Sequence, residues 1–187
     1  MQDSRLPPSQ ARVFLAPLAL LAVLTVCAAA QRGHRLNGDL ALGAEAGSVE
    51  DFLVDSGEAW AVYRGQENAL GLCELYSVPL DRSASAVKLN ASIVGGAGVQ
   101  ADYAISPDGT TVVYRTDQNR TGSFELYAAP IDGSASAIRL SGRDGAPPNI
   151  HGYRITADGS AVVYYGDTGP ARHGSTRARA YSAQFVT

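Results

Sequence analysis

The chain has 187 residues, with 15 Lys+Arg against 18 Asp+Glu and 45% apolar residues. That length fits one domain, the apolar share suits a buried core, and a net charge of −3 offers no basic surface to nucleic acid. A multidomain assembly, a coiled coil and a nucleic-acid binder are excluded on these grounds.

Residues 13–30 read VFLAPLALLAVLTVCAAA and carry no charge. Arg5 and Arg12 precede the run, and Ala28, Ala29 and Ala30 end it. A basic start, an apolar centre and a small-residue end make residues 1–30 a secretory signal peptide, with cleavage expected after Ala30 and a mature protein in the periplasm or outside the cell. An uncleaved run of this length would be an N-terminal membrane anchor; Pro17 and the alanine tail speak against it. Lipidation at Cys27 is disfavoured by the bulky Val26 before it. Cleavage leaves Cys73 as the single cysteine, which has no internal disulfide partner. Set between Leu72 and Glu74, it is expected to be a buried, inert thiol. His34, His151 and His173 are scattered and have no metal-ligand spacing.

The remainder, residues 31–187, repeats. Residues 35–37 (RLN) match residues 88–90 (KLN), the end of the first long copy. Residues 74–90, ELYSVPLDRSASAVKLN, and 125–141, ELYAAPIDGSASAIRLS, are identical at ten of 17 positions, 51 residues apart. Upstream of the second copy, residues 105–115 read ISPDGTTVVYR; residues 155–165 read ITADGSAVVYY, and 54–64, VDSGEAWAVYR, are a worn version.

Within the second period the expected strands are residues 101–106, 111–115, 124–130 and 137–140. Between the first two, Pro107, Asp108 and Gly109 form a turn in which proline presets φ, aspartate caps and glycine takes positive φ. The strands are rich in β-branched and aromatic residues, and no sustained 3.6-residue period appears outside the signal segment. The expected third strand of the last period is residues 179–183. In Val112-Val113-Tyr114 and Val162-Val163-Tyr164 apolar residues are continuous, which predicts strands covered on both faces. The fold class is therefore all-β, with about three four-stranded antiparallel sheets stacked as β-propeller-type blades, at about 38–90, 91–141 and 142–187, and an outer strand at 35–37.

The pattern S-P-D-G-x-x-V-V-Y followed by E-L-Y-x-x-P-x-D-G-S resembles the WD-like repeats of TolB-like propellers of exported bacterial proteins, and those of prolyl-oligopeptidase-type enzymes. The resemblance covers residues 31–187. It implies a non-enzymatic binding or protein-interaction module. It further implies a ring of six blades, of which three form an incomplete part. Three arrangements stay open: a homodimer in which residues 35–37 of each chain complete the other's last blade, a piece of a longer propeller or of a peptidase's propeller domain, and an open three-blade stack. The resemblance places candidate binding positions at Pro107, Asp108, Pro147 and Pro148.

Chemistry is sparse. Asp108 and Asp158 sit in turns that aspartate forms for structural reasons. Glu74 and Glu125 recur at one strand position, which fits a structural role. No G-x-S-x-G elbow, P-loop, G-x-G-x-x-G or H-E-x-x-H occurs, so no enzyme is expected. The loop DQNRTG resembles a calcium turn, with Asp117, Asn119 and Thr121 at alternate ligand positions before a glycine. Calcium is the single cofactor this suggests, and a plain polar loop is the alternative. Asn90-Ala91-Ser92 and Asn119-Arg120-Thr121 have the form of glycosylation sequons.

Overall fold

The computed structural model describes residues 34–38, 47–68, 71–94, 96–142, 149–167 and 178–185. The signal segment, Pro147 and Pro148 lie outside them. The chain divides into a unit Met1–Arg35, in which His34 and Arg35 are described and exposed, and a unit Leu36–Thr187. No helix among the described residues is long and apolar enough to cross a membrane.

The second unit is all-β. Its first sheet contains β1 (Val49–Val54), β2 (Trp60–Gly65), β3 (Glu74–Pro79) and β4 (Val87–Lys88), in that spatial order. The second contains β5 (Ala104–Ile105), β6 (Thr111–Thr116), β7 (Glu125–Pro130) and β8 (Ile138–Arg139), also in chain order. The third contains β9 (Ile150–Ile155), β10 (Ala161–Asp167) and β11 (Ala178–Gln184), with β10 in the middle. Every named strand pair is antiparallel. These are blade-type sheets, and they do not close into a ring. The third has three strands among the described residues.

Turn chemistry enforces the meander. Gly109 and Gly159 adopt φ of 73° and 71° in the hairpins that enter β6 and β10. The aligned residue of the first sheet is Glu58, which takes the same left-handed conformation at φ 54° despite its Cβ. Asp55 compensates there: its carboxylate accepts the amides of Gly57, Ala59 and Trp60 at 2.9, 2.8 and 2.6 Å. The other turn differs for a tertiary reason. A Cβ on Gly133 would lie 2.7 Å from Val87 Cγ2 of the neighbouring sheet, whereas the aligned Arg82 points to solvent.

The sheets stack face to face. Val62, Leu75 and Leu89 of the first meet Val112, Tyr114, Tyr127 and Ala129 of the second. Val113, Leu126, Ala128 and Leu140 of the second meet Ile150, Val162 and Tyr164 of the third. Within each sheet two adjacent strands, β2–β3, β6–β7 and β10–β11, carry a stacked tyrosine pair, Tyr63–Tyr76, Tyr114–Tyr127 and Tyr164–Tyr181, with centroids 5.3, 5.8 and 5.4 Å apart. The polar contacts between sheets repeat as well. Tyr103 and Tyr153 each donate a phenol hydrogen back to the carbonyl of Val62 or Val113 in the preceding sheet, at 3.4 and 2.8 Å. Arg64 and Arg115 reach forward to the carbonyls of Val99 and Ile150, at 3.2 and 2.6 Å.

One expectation is corrected here. Residues 162–164 form a continuous apolar run, yet Val163 is 47% exposed while the aligned Val62 and Val113 are fully buried. Among the described residues, no further sheet packs on the outer side of the third.

Candidate functional site

Asp117, the first residue of the calcium-like loop, is buried. Its carboxylate accepts amides from Ala97 and Gly98, both at 3.1 Å, and from Gly122 at 2.9 Å. Asn119 points elsewhere: its side-chain amide donates to Glu125 at 2.7 Å and to the Tyr127 hydroxyl at 2.5 Å. Thr121 is exposed. The fold thus keeps Asp117 and Asn119 in one loop and directs them to different protein partners. Among the described residues, no group of three His, Cys, Asp or Glu is arranged to hold a metal ion. Asp117→Ala is expected to lower stability by about 2–4 kcal/mol, because three amides lose a charged acceptor. Denaturant unfolding in EDTA measures that loss apart from any cation effect.

Glu74 and Glu125 open the third strands of the first two sheets and are buried in matching four-residue networks. Glu74 accepts Lys88 Nζ at 2.9 Å, Asn68 at 2.5 Å and the Tyr76 hydroxyl at 2.9 Å. Glu125 accepts Arg139 at 2.7 Å, Asn119 at 2.7 Å and the Tyr127 hydroxyl at 2.6 Å. Burial pushes the Glu74 carboxyl up, but the hydrogen bonds from Lys88, Asn68 and Tyr76 outweigh it and leave it below the ordinary carboxylate range. The recurrence of the two glutamates is visible in the sequence. Their partners also recur at the same 51-residue spacing, Asn68 with Asn119, Tyr76 with Tyr127 and Lys88 with Arg139.

The turn acids do structural work. Asp108 accepts the Ser106 hydroxyl at 2.5 Å and the Thr110 amide at 3.1 Å, and these bonds hold its carboxyl low. Asp158 is held at about 2 by hydrogen bonds from Thr156 and Ser160. Cys73 is half-buried just before β3, bridged to Gly98, and burial pushes its thiol up, away from a reactive thiolate.

The outer side of the third sheet is one open apolar surface among the described residues; β1, with Phe52, Leu53 and Val54 exposed, is another. Val163 and Tyr165 are 47% and 50% exposed on β10, flanked by exposed Arg154 and Ala180. With Tyr153 and Ile155 these residues line a shallow cavity of about 410 Å³. Tyr165 stands where Arg64 and Arg115 stand in the other sheets, as its pairing with Ala180 shows against Arg64–Leu75 and Arg115–Leu126. The ring of His151 lies 6.0 Å from that of Tyr165, and its Nε2 is 3.1 Å from Asp167. An apolar patch with a cation and a histidine at its rim can hold a protein surface.

No family model matches the chain, and no curated protein matches it. Among solved structures it is similar to a "putative TolB" from Agrobacterium tumefaciens, with 13% identity and a TM-score of 0.45, covering 72% of this chain and 57% of that one. It is also similar to a structure from work on two prolyl endopeptidases, with 17% identity and a TM-score of 0.49, covering 74% of this chain and 20% of that one. The chain therefore spans less than two thirds of either structure.

Proposed function

We propose that the chain is an exported, non-enzymatic binding module, and that it contacts its partner through the outer face of the third sheet. One observation carries this: Val163 and Tyr165 are about half exposed on a face whose counterparts, Val62 and Val113, are sealed by the next sheet. A sheet face of this kind gains free energy by being covered. Export rests on the charge-free run at 13–30 and its flanks. The non-enzymatic reading is supported by the lack of a nucleophile motif and by the engagement of Glu74 and Glu125 with cations.

The partner is another protein or a second copy, and two copies of three sheets make a six-bladed ring. If the chain is instead part of a longer propeller, that propeller's next blade covers the same face. The test is the double variant Val163→Lys with Tyr165→Lys, both at exposed positions. Light scattering and cross-linking are expected to show a complex in the parent chain that the variant loses, with unchanged circular dichroism. A doubled mass identifies the second copy. Equal masses and cross-links in both proteins, or peptidase activity in the parent, overturn the proposal.

A further inference from the structure

Of the asparagines in the sequence, Asn37 alone is followed by glycine. The pair matters chemically. The side-chain amide of an asparagine can be attacked at Cγ by the backbone nitrogen of the next residue, and glycine, having no side chain, leaves that nitrogen open. The sequence alone gives this pair its intrinsic reactivity. The fold adds a base.

The Asn37 side-chain amide donates to the Gly38 carbonyl at 2.8 Å, so the side chain folds forward along the chain, toward the Gly38 nitrogen. The Gly38 amide donates to Glu67 Oε1, also at 2.8 Å. The same oxygen accepts the Tyr63 hydroxyl at 2.6 Å. A Cβ on Gly38 would lie 2.7 Å from Glu67 Oε2, so the carboxylate is seated against a bare Cα. Asn37, Gly38 and Glu67 are all half-buried, which leaves them within reach of water.

The Asp-Gly pairs of the turns are arranged differently. The amides of Gly109, Gly133 and Gly159 donate to the carbonyls of Ser106, Pro130 and Thr156 at 2.9, 3.0 and 2.9 Å. A backbone carbonyl does not take a proton from an amide, whereas a carboxylate is a base. Gly38 differs from these glycines in having its nitrogen on a carboxylate.

We infer that Asn37-Gly38 is a self-modifying site, at which Glu67 is the general base and Asn37 is converted to aspartate and isoaspartate. Glu67 takes the proton of the Gly38 nitrogen as that nitrogen bonds to Asn37 Cγ. The Cγ–Nδ2 bond breaks, and the nitrogen leaves as ammonia with the proton returned through water. Water then adds to either carbonyl of the cyclic imide and opens it, to aspartate or to isoaspartate. Nothing is oxidised or reduced. The product carries a new carboxylate beside Glu67, and the like charges repel. Leu36, which packs against Ala61, Tyr63, Tyr76 and Val78 of the first sheet, is loosened from that face as a result.

The full chain, its Glu67→Gln variant and a free peptide of residues 34–41 are incubated under identical conditions near neutral pH, and conversion at position 37 is followed by peptide mapping and mass spectrometry. Glutamine keeps an oxygen for the Gly38 amide and the Tyr63 hydroxyl but is not a base, so circular dichroism is expected to be unchanged. The full chain is expected to convert faster than the peptide, and Glu67→Gln about tenfold slower than the full chain. Tyr63→Phe relieves Glu67 Oε1 of a competing donor and is expected to convert at least as fast as the parent. A full chain no faster than the peptide overturns the inference, because the fold then adds no base. So does a rate that Glu67→Gln leaves unchanged. If Glu67→Gln does not fold, Tyr63→Phe decides, and conversion slower than the parent's overturns the role of Glu67.

Discussion

Leu126→Ala is expected to lower stability by about 2–5 kcal/mol, the cost of emptying a fully sealed aliphatic site. Leu126 is inaccessible to solvent and lies between the second and third sheets, among Val113, Leu140, Ile150 and Val162. Three strands, β6, β9 and β10, and Leu140 just after β8 contribute its neighbours, so the site cannot collapse without moving a sheet, and the cavity term stays in full. Urea unfolding should show a lower midpoint with an unchanged slope. The aligned Ala180 supplies the contrast, because it is exposed on β11 and already lacks the larger side chain. A loss below about 1 kcal/mol at Leu126 would mean that the two sheets do not bear on each other as described.

The second large effect is alkaline unfolding above about pH 10. Burial pushes the phenols of Tyr63, Tyr76, Tyr103, Tyr114, Tyr127 and Tyr153 above their ordinary value of 10.0. For Tyr63, Tyr76 and Tyr127 the carboxylates of Glu67, Glu74 and Glu125 add to the rise. The neutral phenol is the form the fold accepts. The unfolded chain ionises near 10 and the folded chain well above it, so the contribution is complete below pH 10 and is lost as pH rises past that point. At pH 11 each such tyrosine favours the unfolded chain by about 1.4 kcal/mol, and six together approach the whole stability of a small domain. Phenolate absorbance and far-ultraviolet circular dichroism should therefore change together, in one cooperative step near pH 11. A gradual rise in absorbance with unchanged dichroism would show that these phenols ionise inside the fold.

The period of about fifty residues, the all-β class and the strands of the middle sheet are legible in the sequence because their causes are local. Gly109 and Gly159 take positive φ within their own hairpins, and the β-branched run 111–115 makes its strand, β6, by itself. The four-residue networks were half legible: Glu74 and Glu125 stood out, while Asn68, Lys88 and their counterparts gained meaning only when strand pairing brought them together. The loop at 117–122 was opaque. The acceptor it offers is filled by amides of Ala97 and Gly98, about twenty residues away in another segment, and no local pattern announces that.

Val113 and Val163 show where local information stops. They occupy the same place in the same V-V-Y run, yet one is sealed and the other is about half exposed. The sequence by itself determined the repeat, its strands and its turns, since propensity and turn geometry act over a few residues. Tertiary structure alone decided which copy of an identical pattern lies inside the stack and which lies at its end. Burial depends on whether another sheet is present to exclude water, and that is a property of the neighbour, not of the strand.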